Sequence, residues 1–247
     1  MNTPVTLKGK TLFITGASDG IGRDTAIACS KLGAKVIISG RCKIKLQSTY
    51  NLLHNSEHSS IAADLTDLNQ LDNITNNIPA IDGIVHCAGI SLGPKLFKYT
   101  TIEMLRHIFS INVDAPFLLT SKLIAKNKIN NFGSIVFISS ISPLVGTVGG
   151  ALYSATKAAL ISASRCMAIE VANKKIRVNC ISPGLVETAM TTDFLKYNNQ
   201  KADYPFGFGS TEDVAHTIIF FLCDKSIKIT GNNFLLHGGF CRRSKNS

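Results

Sequence analysis

The feature that most limits the fold of this chain is a regular alternation of short apolar runs with longer, helix-length stretches. The apolar runs, which we predict to be strands, cover residues 11–15, 35–39, 60–63, 82–86, 134–139, 176–181 and 233–236. The predicted helices cover residues 20–32, 43–54, 68–77, 101–126, 152–173 and 212–223. Strands that are apolar on both faces are typical of parallel sheets covered on both sides. The alternation therefore predicts an α/β fold with one Rossmann-like, doubly wound parallel sheet of about seven strands and helices on both faces.

No linker, repeat or low-complexity tract divides the 247 residues, so we predict one domain over residues 1–247. Apolar runs such as residues 218–223 are far shorter than the roughly 18 residues that a membrane span needs. The first ten residues are polar and lack the apolar core of a signal peptide. We therefore expect a cytoplasmic protein with no membrane partner. Residues 191–209 show no clear periodicity and are predicted to be a lid over a substrate site.

The spacing of the cysteines and the distribution of charge argue against a metal site and a nucleic-acid-binding site. The seven cysteines are scattered, with no CxxC and no Cys/His pair at zinc spacing, so we expect reduced thiols and no metal site. The net charge of +10 comes from 26 Lys and Arg against 16 Asp and Glu, but the basic residues are dispersed. Aromatic residues do not interleave with them as in a strand-binding groove, so we expect no nucleic-acid partner.

A glycine-rich segment follows the first predicted strand and opens the first helix. Residues 15–22 read TGASDGIG. Glycines there let the backbone approach a pyrophosphate, and the helix N-terminus supplies N–H groups and a positive dipole. The spacing G-x-x-x-G-x-G differs from the usual dinucleotide fingerprint. By itself the segment indicates either a phosphate site or a tight strand-to-helix turn.

A second motif, YSATK at residues 153–157, lies in a predicted helix. Residues four apart share a helix face, so the Lys157 ammonium can lie near the Tyr153 phenol. An unperturbed tyrosine has a pKa of about 10, and a nearby cation favours the phenolate. We therefore expect Lys157 to lower the pKa of Tyr153 toward the range useful for proton transfer.

Together these motifs resemble those of the classical short-chain dehydrogenases/reductases over about residues 10–240. The matching features, in order, are TGASDGIG at 15–22, Asp64, CAG at 87–89, Asn112, Ser140, YSATK at 153–157 and SPG at 182–184. The thirteen-residue step from Ser140 to Tyr153 is also the family's usual one. The resemblance implies a catalytic tetrad. Ser140 would polarise the substrate carbonyl, Tyr153 would exchange the proton, Lys157 would hold the nicotinamide ribose, and Asn112 would anchor a relay water.

The resemblance also implies a set of cofactor contacts. Residues 64–65 would meet the adenine, 88–89 the adenosine ribose, and 183–188 the nicotinamide carboxamide. The full set is Gly16, Ser18, Asp19, Gly20, Ile21, Gly22, Ser39, Arg41, Asp64, Leu65, Ala88, Gly89, Tyr153, Lys157, Pro183, Gly184, Val186 and Thr188. Where relatives often read Asn-Asn-Ala-Gly, this chain has His86-Cys87-Ala88-Gly89, and we expect His86 to stabilise the sheet by a hydrogen bond rather than to act in catalysis. Ser139 and Ser142, beside Ser140, are expected to be strand-end hydroxyls bonded to backbone.

The end of the second predicted strand favours NADP(H) over NAD(H). An NAD site places a carboxylate there, bonded to the ribose 2′-hydroxyl. Residues 38–41 read ISGR, with no acid and with Arg41, whose guanidinium suits a 2′-phosphate. Ser39 and Lys43 are candidates for further contacts. Asp19 opposes this prediction, because an acid at its position weakens phosphate binding.

The resemblance implies an NADP(H)-dependent carbonyl reductase that transfers a hydride between nicotinamide and a ketone or secondary alcohol. The carboxyl-terminal half looks most like the 3-oxoacyl-acyl-carrier-protein reductases, which favours an acyl-thioester substrate. The alternatives are a reductase of a small free carbonyl or sugar and a catalytically silent NADP-binding regulatory protein. The complete tetrad argues against the last.

Two kinds of partner follow from the same resemblance. Carrier proteins are acidic, so an acyl carrier protein is a candidate partner for Lys126, Lys128, Lys174 and Lys175. Asn130 and Asn131, however, stand where a docking arginine is expected. The resemblance also implies a homotetramer in which helices 101–126 and 152–173 pack against their symmetry mates. Small residues such as Ala155, Ala159 and Ala163 suit close helix approach, either there or on the protein's own sheet.

Overall fold

Each predicted apolar run forms a strand of one parallel sheet in our computed structural model, which describes residues 5–55, 57–192 and 203–240. The strands are β1 (Thr11–Thr15), β2 (Lys35–Gly40), β3 (Ser59–Ala62), β4 (Ile81–His86), β5 (Ile129–Ile138), β6 (Arg177–Pro183) and β7 (Asn233–Leu236). Their order in the sheet is β3-β2-β1-β4-β5-β6-β7, and every neighbouring pair is parallel. The predicted fold class and strand number are confirmed.

Helices connect the strands and cover both faces. The α-helices within the described residues are α1 (Gly20–Lys31), α2 (Lys43–Tyr50), α3 (Leu68–Asn77), α4 (Ile102–Phe109), α5 (Ala115–Ala125), α6 (Ser142–Val145), α7 (Ala151–Glu170) and α8 (Thr211–Leu222). Several begin at side chains that accept hydrogen bonds from the free N–H groups of the first turn, among them Asp19 at α1, Asp67 at α3 and Ser210 at α8.

The strand residues alternate between two apolar cores. Leu12 and Ile14 point to one face, where α1 and α8 pack, while Phe13 between them points to the other, beneath α3, α5 and α7. Both faces are buried, so the strand interiors are mainly apolar, and interior polar side chains such as Ser134 and Asn179 are buried and hydrogen-bonded. That is why the strands are visible in the sequence as near-continuous apolar runs.

The strand order reverses between β1 and β4. From β1 the chain moves outward to β2 and β3, and then returns to place β4 on the other side of β1. Loops leaving the carboxyl ends of β1 and β4 therefore diverge and leave a crevice, which is where ligands bind in open α/β sheets. All the predicted catalytic and cofactor residues lie in or beside the loops at this edge.

Several element boundaries differ from the prediction, and α2, for example, ends at Tyr50 rather than at residue 54. The predicted helix 101–126 is interrupted by a π-helical turn at Ser110–Asp114 between α4 and α5. β5 begins at Ile129 rather than at residue 134, because buried Ile129 pairs with Ile81 before a register shift. Of the predicted lid, residues 193–202 lie outside the described residues.

The continuous helical stretch Ile102–Ala125, with a mean hydropathy of 1.3, is long and apolar enough to cross a membrane by length and composition alone. Buried helices of globular proteins meet the same criterion. Leu119 and Leu123 of this stretch are fully buried against the sheet, and Asn112 is buried within it. Its apolar character is therefore accounted for by the core.

The turn between β1 and α1 packs directly on the end of β4. Gly16 has a φ of +66°, and a Cβ on it would lie 2.6 Å from the backbone nitrogen of Ala88. Gly93 also has a positive φ, +73°, but a Cβ there would meet nothing within 4 Å. The two glycines thus share a left-handed backbone and differ in their surroundings.

Substituting each glycine by alanine separates these two effects. Gly93→Ala should lower the free energy of unfolding by about 1–2 kcal/mol, the cost of a left-handed alanine. Gly16→Ala should cost roughly 1–3 kcal/mol more, because the backbone of β4 has to move. Urea denaturation at one protein concentration measures both variants. Equal losses would show that the two loops do not pack as closely as described.

Candidate active site

Ser140 lies just beyond the end of β5, held between two strand-like hydrogen bonds. The Ser139 amide donates to the Ile181 carbonyl at 2.8 Å, and the Ile141 amide donates to the Pro183 carbonyl at 3.0 Å. The backbone on both sides of Ser140 is thereby tied to β6. This fixes the direction in which the Ser140 hydroxyl leaves the sheet.

The neighbouring serines behave differently from one another. The Ser139 hydroxyl donates to the Lys157 carbonyl at 2.8 Å, which confirms it as a backbone-bonded strand-end hydroxyl. The Ser142 side chain does not follow the prediction, because its oxygen accepts from the Ser140 hydroxyl at 3.1 Å. The Ser142 amide also donates to the Ser140 oxygen at 3.1 Å. Ser142 therefore orients Ser140.

Tyr153 and Lys157 face the end of β5 from one side of α7. Burial raises the pKa of Tyr153 to about 12, and the nearby Ser140 hydroxyl offsets part of that rise. The Lys157 Nζ lies 5.6 Å from the centroid of the Tyr153 ring. We expected Lys157 to lower the pKa of Tyr153. In this geometry the pKa of Tyr153 is raised instead, because the effect of burial is larger.

The Lys157 ammonium is buried, with only 6% of the residue exposed. Its Nζ donates to the Ile138 carbonyl at 2.8 Å, at the end of β5. Burial lowers the pKa of Lys157 to about 8. Among the residues that the structure describes, no carboxylate pairs with it. The ammonium is thus held by a carbonyl dipole instead of a counter-ion.

Asn112 projects from the π-helical turn and joins the loop after β4 to α7. Its Oδ1 accepts from the Ile90 amide at 2.8 Å, and its Nδ2 donates to the Ile90 carbonyl at 3.0 Å and to the Thr156 hydroxyl at 3.1 Å. A Cβ on Gly89 would lie 3.3 Å from the Asn112 Oδ1 and 3.4 Å from the Lys157 Nζ. The interruption of the helix therefore brings Asn112 against Gly89, Lys157 and α7.

A cavity of about 300 Å³ opens beside these residues at the crevice between β1 and β4. Its walls come from the glycine-rich turn, the ends of β2 and β3, the loop after β4 and the start of α5. It is lined by Thr15, Gly16, Ser18, Asp19, Ser39, Gly40, Arg41, Cys42, Lys45, Ala63, Asp64, Leu65, Thr66, His86, Ala88, Gly89, Ile90, Ile111, Ala115 and Pro116. Nine of the predicted cofactor contacts are among them.

The cavity walls fit the adenosine half of a nicotinamide dinucleotide. The buried hydroxyls of Ser18 and Ser39 have no hydrogen-bond partner within the described chain, although buried polar atoms are nearly always satisfied. Asp64, whose pKa is lowered chiefly by the Thr66 amide and hydroxyl, places a carboxylate on the same wall. Polar groups without protein partners, beside a glycine-rich helix N-terminus, are what a ribose–phosphate ligand requires.

Comparisons with known proteins agree with this geometry. The family model described as enoyl-(acyl carrier protein) reductase matches residues 16–241. The 3-oxoacyl-[acyl-carrier-protein] reductase FabG of Rickettsia felis is 36% identical over 239 residues, which cover 95% of this chain and 98% of the relative. The solved structure of the short-chain dehydrogenase/reductase SDR:Glucose/ribitol dehydrogenase from Brucella melitensis has a TM-score of 0.89 at 27% identity and covers 98% of this chain and 100% of its own. A 3-ketoacyl-(acyl-carrier-protein) reductase from the same organism, complexed with NADH, has a TM-score of 0.85 at 29% identity, with coverage of 95% and 99%.

The chain belongs to the short-chain dehydrogenase/reductase family. It is therefore an oxidoreductase that acts on carbonyl groups or the corresponding alcohols and uses a nicotinamide cofactor.

In this short-chain dehydrogenase/reductase, some predicted cofactor contacts lie outside the cavity. Ile21 packs against the core, and Gly22 is buried against the turn. The Thr188 side chain lies close to Gly20. A Cβ atom placed on Gly20 would be 3.6 Å from Cγ2 of Thr188.

The remaining predicted contacts lie at the end of β6, where Pro183 is the last strand residue and Gly184 follows it. The Gly184 amide donates to the Leu236 carbonyl at 2.8 Å, and the Thr191 hydroxyl donates to the Val186 carbonyl. The segment is thus folded onto β7 and closed by Thr191. It forms its own wall beside the catalytic residues.

Lys45 lines the cavity, and Lys43, which the sequence suggested, does not. Both belong to the first turn of α2, and a difference of two residues turns a side chain to another face of a helix. The sequence contains both lysines, so the rotation of α2 against the glycine-rich turn was needed to choose between them. Thr66 and Thr156 were also missed, since nothing in their local sequence distinguishes them from other threonines.

His86 supports the sheet, as expected from the sequence. Its ring stacks on Phe137 with centroids 4.7 Å apart, and its Nε2 lies 2.8 Å from the Thr120 hydroxyl of α5. Burial lowers the pKa of His86 to about 3, so the imidazole stays neutral. A neutral, fully engaged ring links β4, β5 and α5 beneath the cofactor cavity.

The buried Lys157 ammonium should make the protein less stable than a neutral residue would. Its pKa falls from the ordinary 10.5 to about 8 on folding, so the unfolded chain binds more protons between those values. Stability therefore rises with pH across that window, and the full cost is present below about pH 8. Lys157→Met should raise the free energy of unfolding at pH 7 by roughly 1–2 kcal/mol, after about 1 kcal/mol is subtracted for the lost hydrogen bond.

Chemical denaturation without cofactor, at pH 7 and again near pH 10, measures this effect. The difference in the free energy of unfolding between Lys157→Met and the parent should be smaller at the higher pH, where the parent lysine is neutral. Lys43→Met is the matched control, because Lys43 is exposed, and it should change stability by less than about 0.5 kcal/mol. A destabilised Lys157→Met protein would mean that the ammonium is solvated or paired.

Proposed function

We propose that this short-chain dehydrogenase/reductase reduces the 3-oxo group of an acyl thioester with NADPH as the hydride donor. The observation that carries the proposal is the joint placement of Ser140, Tyr153 and Lys157 around the end of β5. A hydroxyl oriented by Ser142, a protonated phenol and a buried cation lie together beside a cavity suited to a dinucleotide.

In the proposed reaction each side chain has one task. A nicotinamide held in the cavity would supply the hydride for the carbonyl carbon. The Ser140 hydroxyl donates to the carbonyl oxygen and stabilises the negative charge that develops there. The Tyr153 phenol gives its proton to that oxygen, which becomes the new hydroxyl. Lys157 stabilises the resulting phenolate until Tyr153 regains a proton, and Asn112 holds the loop from which a relay water would be supplied.

The raised pKa of Tyr153 fits the role of a proton donor. With a pKa of about 12, the phenol is protonated at neutral pH, which is the form that reduction consumes. Oxidation of an alcohol requires the phenolate as a base, and burial disfavours that charged form. The raised pKa therefore keeps Tyr153 in the form that can donate a proton to a carbonyl oxygen.

The loops around the catalytic residues favour an apolar substrate. The Lys95 amide donates to the Gly149 carbonyl at 3.1 Å, which joins the loop after β4 to the loop before α7. Exposed apolar side chains lie on both connections, including Phe97 after β4 and Val148 before α7, which are 69% and 77% exposed. Together with the relatives named as 3-oxoacyl-[acyl-carrier-protein] reductases, this supports an acyl chain over a polyhydroxylated substrate.

A sugar or polyol remains the second candidate substrate, because a structural relative at TM-score 0.89 is named glucose/ribitol dehydrogenase. The preference for NADPH rests on this chain's own residues, since another structural relative is complexed with NADH. β2 ends without a carboxylate, and Arg41 lines the cavity beside it. A guanidinium and no acid at this position suit a 2′-phosphate.

We also propose that the 247 residues form one domain that acts as a cytoplasmic homotetramer, with the segment after β6 as its lid. On α7 the small residues Ala155, Ala158, Ser162 and Cys166 are exposed, whereas Leu160 and Ile161 face the sheet. The small-residue face therefore does not pack on the protein's own sheet, which leaves it available to a second subunit.

An acyl carrier protein remains a proposed partner, but the suggested lysines do not surround the site of their own subunit. Lys126 and Lys128 precede β5, and Lys174 and Lys175 precede β6, so all four lie at the amino-terminal edge of the sheet. The Lys126 Nζ donates to the side chain of Asn76, and the Lys174 Nζ donates to that of Asn127. The catalytic residues lie at the opposite edge.

The function is tested by following NADPH oxidation with a 3-oxoacyl thioester and with a keto sugar. The thioester should be reduced faster, and Tyr153→Phe should lower the rate with it by roughly 100-fold or more, because only the transferable proton is removed. Tyr50→Phe is the control, since this phenol donates to the His58 carbonyl at 3.2 Å away from the site. A faster reaction with the sugar would favour the second candidate, and no reaction with either would contradict both.

Analytical ultracentrifugation tests the assembly. The mass at micromolar protein should be four times that of the 26.6 kDa chain. Ala158→Glu places a charge on the exposed face of α7 and should reduce the assembly to dimers. An active monomer in the parent protein would contradict the proposal.

A further inference from the structure

An ion pair stands at the adenosine end of the cofactor cavity, outside the catalytic group. The Lys45 Nζ lies 3.1 Å from Oδ2 of Asp19, and both residues line the cavity with Arg41. The side chains of Lys45 and Asp19 are 61% and 49% exposed. The pair therefore lies at the cavity mouth, accessible to a charged ligand.

The two oxygens of Asp19 have different partners. Oδ1 accepts from the Gly20 amide at 2.8 Å and caps α1, while Oδ2 receives Lys45. The hydrogen bond from Lys45 is the largest cause of the lowered pKa of the Asp19 carboxyl. Asp19 thus serves both as the cap of the phosphate-binding helix and as the partner of a cation.

The position of Lys45 is set by the packing of α2. The Thr49 hydroxyl donates to the Ala17 carbonyl at 2.9 Å, which fastens α2 to the glycine-rich turn. Lys45 lies one turn before Thr49 on the same face and so reaches Asp19. The same cavity wall carries the buried Ser39 hydroxyl, which has no partner among the described residues. Arg41 and Lys45 give this part of the cavity wall the positive charge that an anionic ligand group requires.

We propose that Lys45 is a specificity-determining residue for the cofactor, held by Asp19 until a ribose 2′-phosphate takes its place as the partner of Lys45. The inference rests on the proposed NADPH function and extends it. Lys45 then contributes to the affinity for NADPH and not to that for NADH. Asp19 lowers the affinity for NADPH, because its carboxylate competes for Lys45 and repels the phosphate.

The relative strengths of the interactions support this exchange. An exposed ion pair is weak, so removing Lys45 from Asp19 costs little. A phosphate monoester carries about −1.5 to −2 charge at pH 7, against a single charge on the carboxylate. The phosphate is therefore the stronger partner for a lysine and a nearby guanidinium. With NADH no phosphate is present, and the Asp19–Lys45 pair persists.

Binding measurements on the purified protein without substrate test the inference. Dissociation constants for NADPH, NADH and adenosine 2′,5′-bisphosphate would be measured by titration calorimetry for the parent, Lys45→Met, Lys45→Arg and Asp19→Asn. Lys45→Met should raise the dissociation constants of the two ligands with a 2′-phosphate about fivefold to tenfold, as expected for an exposed charge pair with phosphate. The dissociation constant of NADH should change by less than about twofold. Lys45→Arg should retain the parent preference.

Asp19→Asn should strengthen NADPH binding severalfold while leaving NADH nearly unchanged. Asparagine caps helices about as well as aspartate, so this variant keeps the start of α1 intact. Lys43→Met is the matched control, because it removes a lysine from the same helix that does not line the cavity. It should leave all three dissociation constants as in the parent.

Arg41→Ala distinguishes the failure of this inference from the failure of the proposed cofactor preference. If the parent binds both cofactors equally and Arg41→Ala changes neither, the NADPH preference itself is wrong. If Arg41→Ala weakens the binding of NADPH but Lys45→Met does not, only the proposed role of Lys45 is overturned. Equal weakening of NADH and NADPH by Lys45→Met would overturn it as well, because the lysine would then serve α2 or the adenine instead of the phosphate.

Discussion

The hydrogen bond from the buried Lys157 ammonium to the Ile138 carbonyl is the interaction on which the catalytic end of this protein depends. It joins α7 to the last residue of β5, and the Ser139 hydroxyl joins the same two elements through the Lys157 carbonyl. Tyr153 therefore faces Ser140 at a fixed distance from the sheet. The ammonium is desolvated without a carboxylate nearby in the described chain, so this arrangement reduces stability in exchange for a cation at the reacting centre.

Backbone hydrogen bonds at the carboxyl edge of the sheet make the site rigid. The Ser139 and Ile141 amides continue the pairing of β5 with β6 beyond the strand, and the Ala88 amide donates to the Thr15 hydroxyl across β1 and β4. Asn112 adds a link between the loop after β4 and α7. Each catalytic side chain thus leaves an element that is anchored on two sides, which gives the precise orientation that proton and hydride transfer need.

The sequence predicted the strands well because both faces of the sheet are buried. Burial on two sides leaves short apolar runs, and their length and β-branched residues separate them from buried helices. It could not predict the π-helical turn around Asn112, which arises from contacts with Ile90 and Thr156 that are distant in the chain. The preference of Lys45 over Lys43 depends on how α2 is rotated, and that is set by Thr49 against the glycine-rich turn. The raised pKa of Tyr153 was missed for a related reason. Spacing places a cation near the phenol, but only the packing shows how much water the phenol loses.

The two ends of the site differ in how strongly charges interact there. Lys157 is enclosed by protein, so its interactions are little screened and its replacement affects chemistry and stability together. Asp19 and Lys45 are about half exposed, and Arg41 is exposed. Water and salt therefore weaken their interactions with a ligand, and each residue changes the binding affinity only modestly. A single substitution at the adenosine end can therefore shift the choice of dinucleotide without disturbing the fold or the catalytic group. For the proposed chemical step we expect a larger effect of substitution, because the Lys157 ammonium has been removed from water.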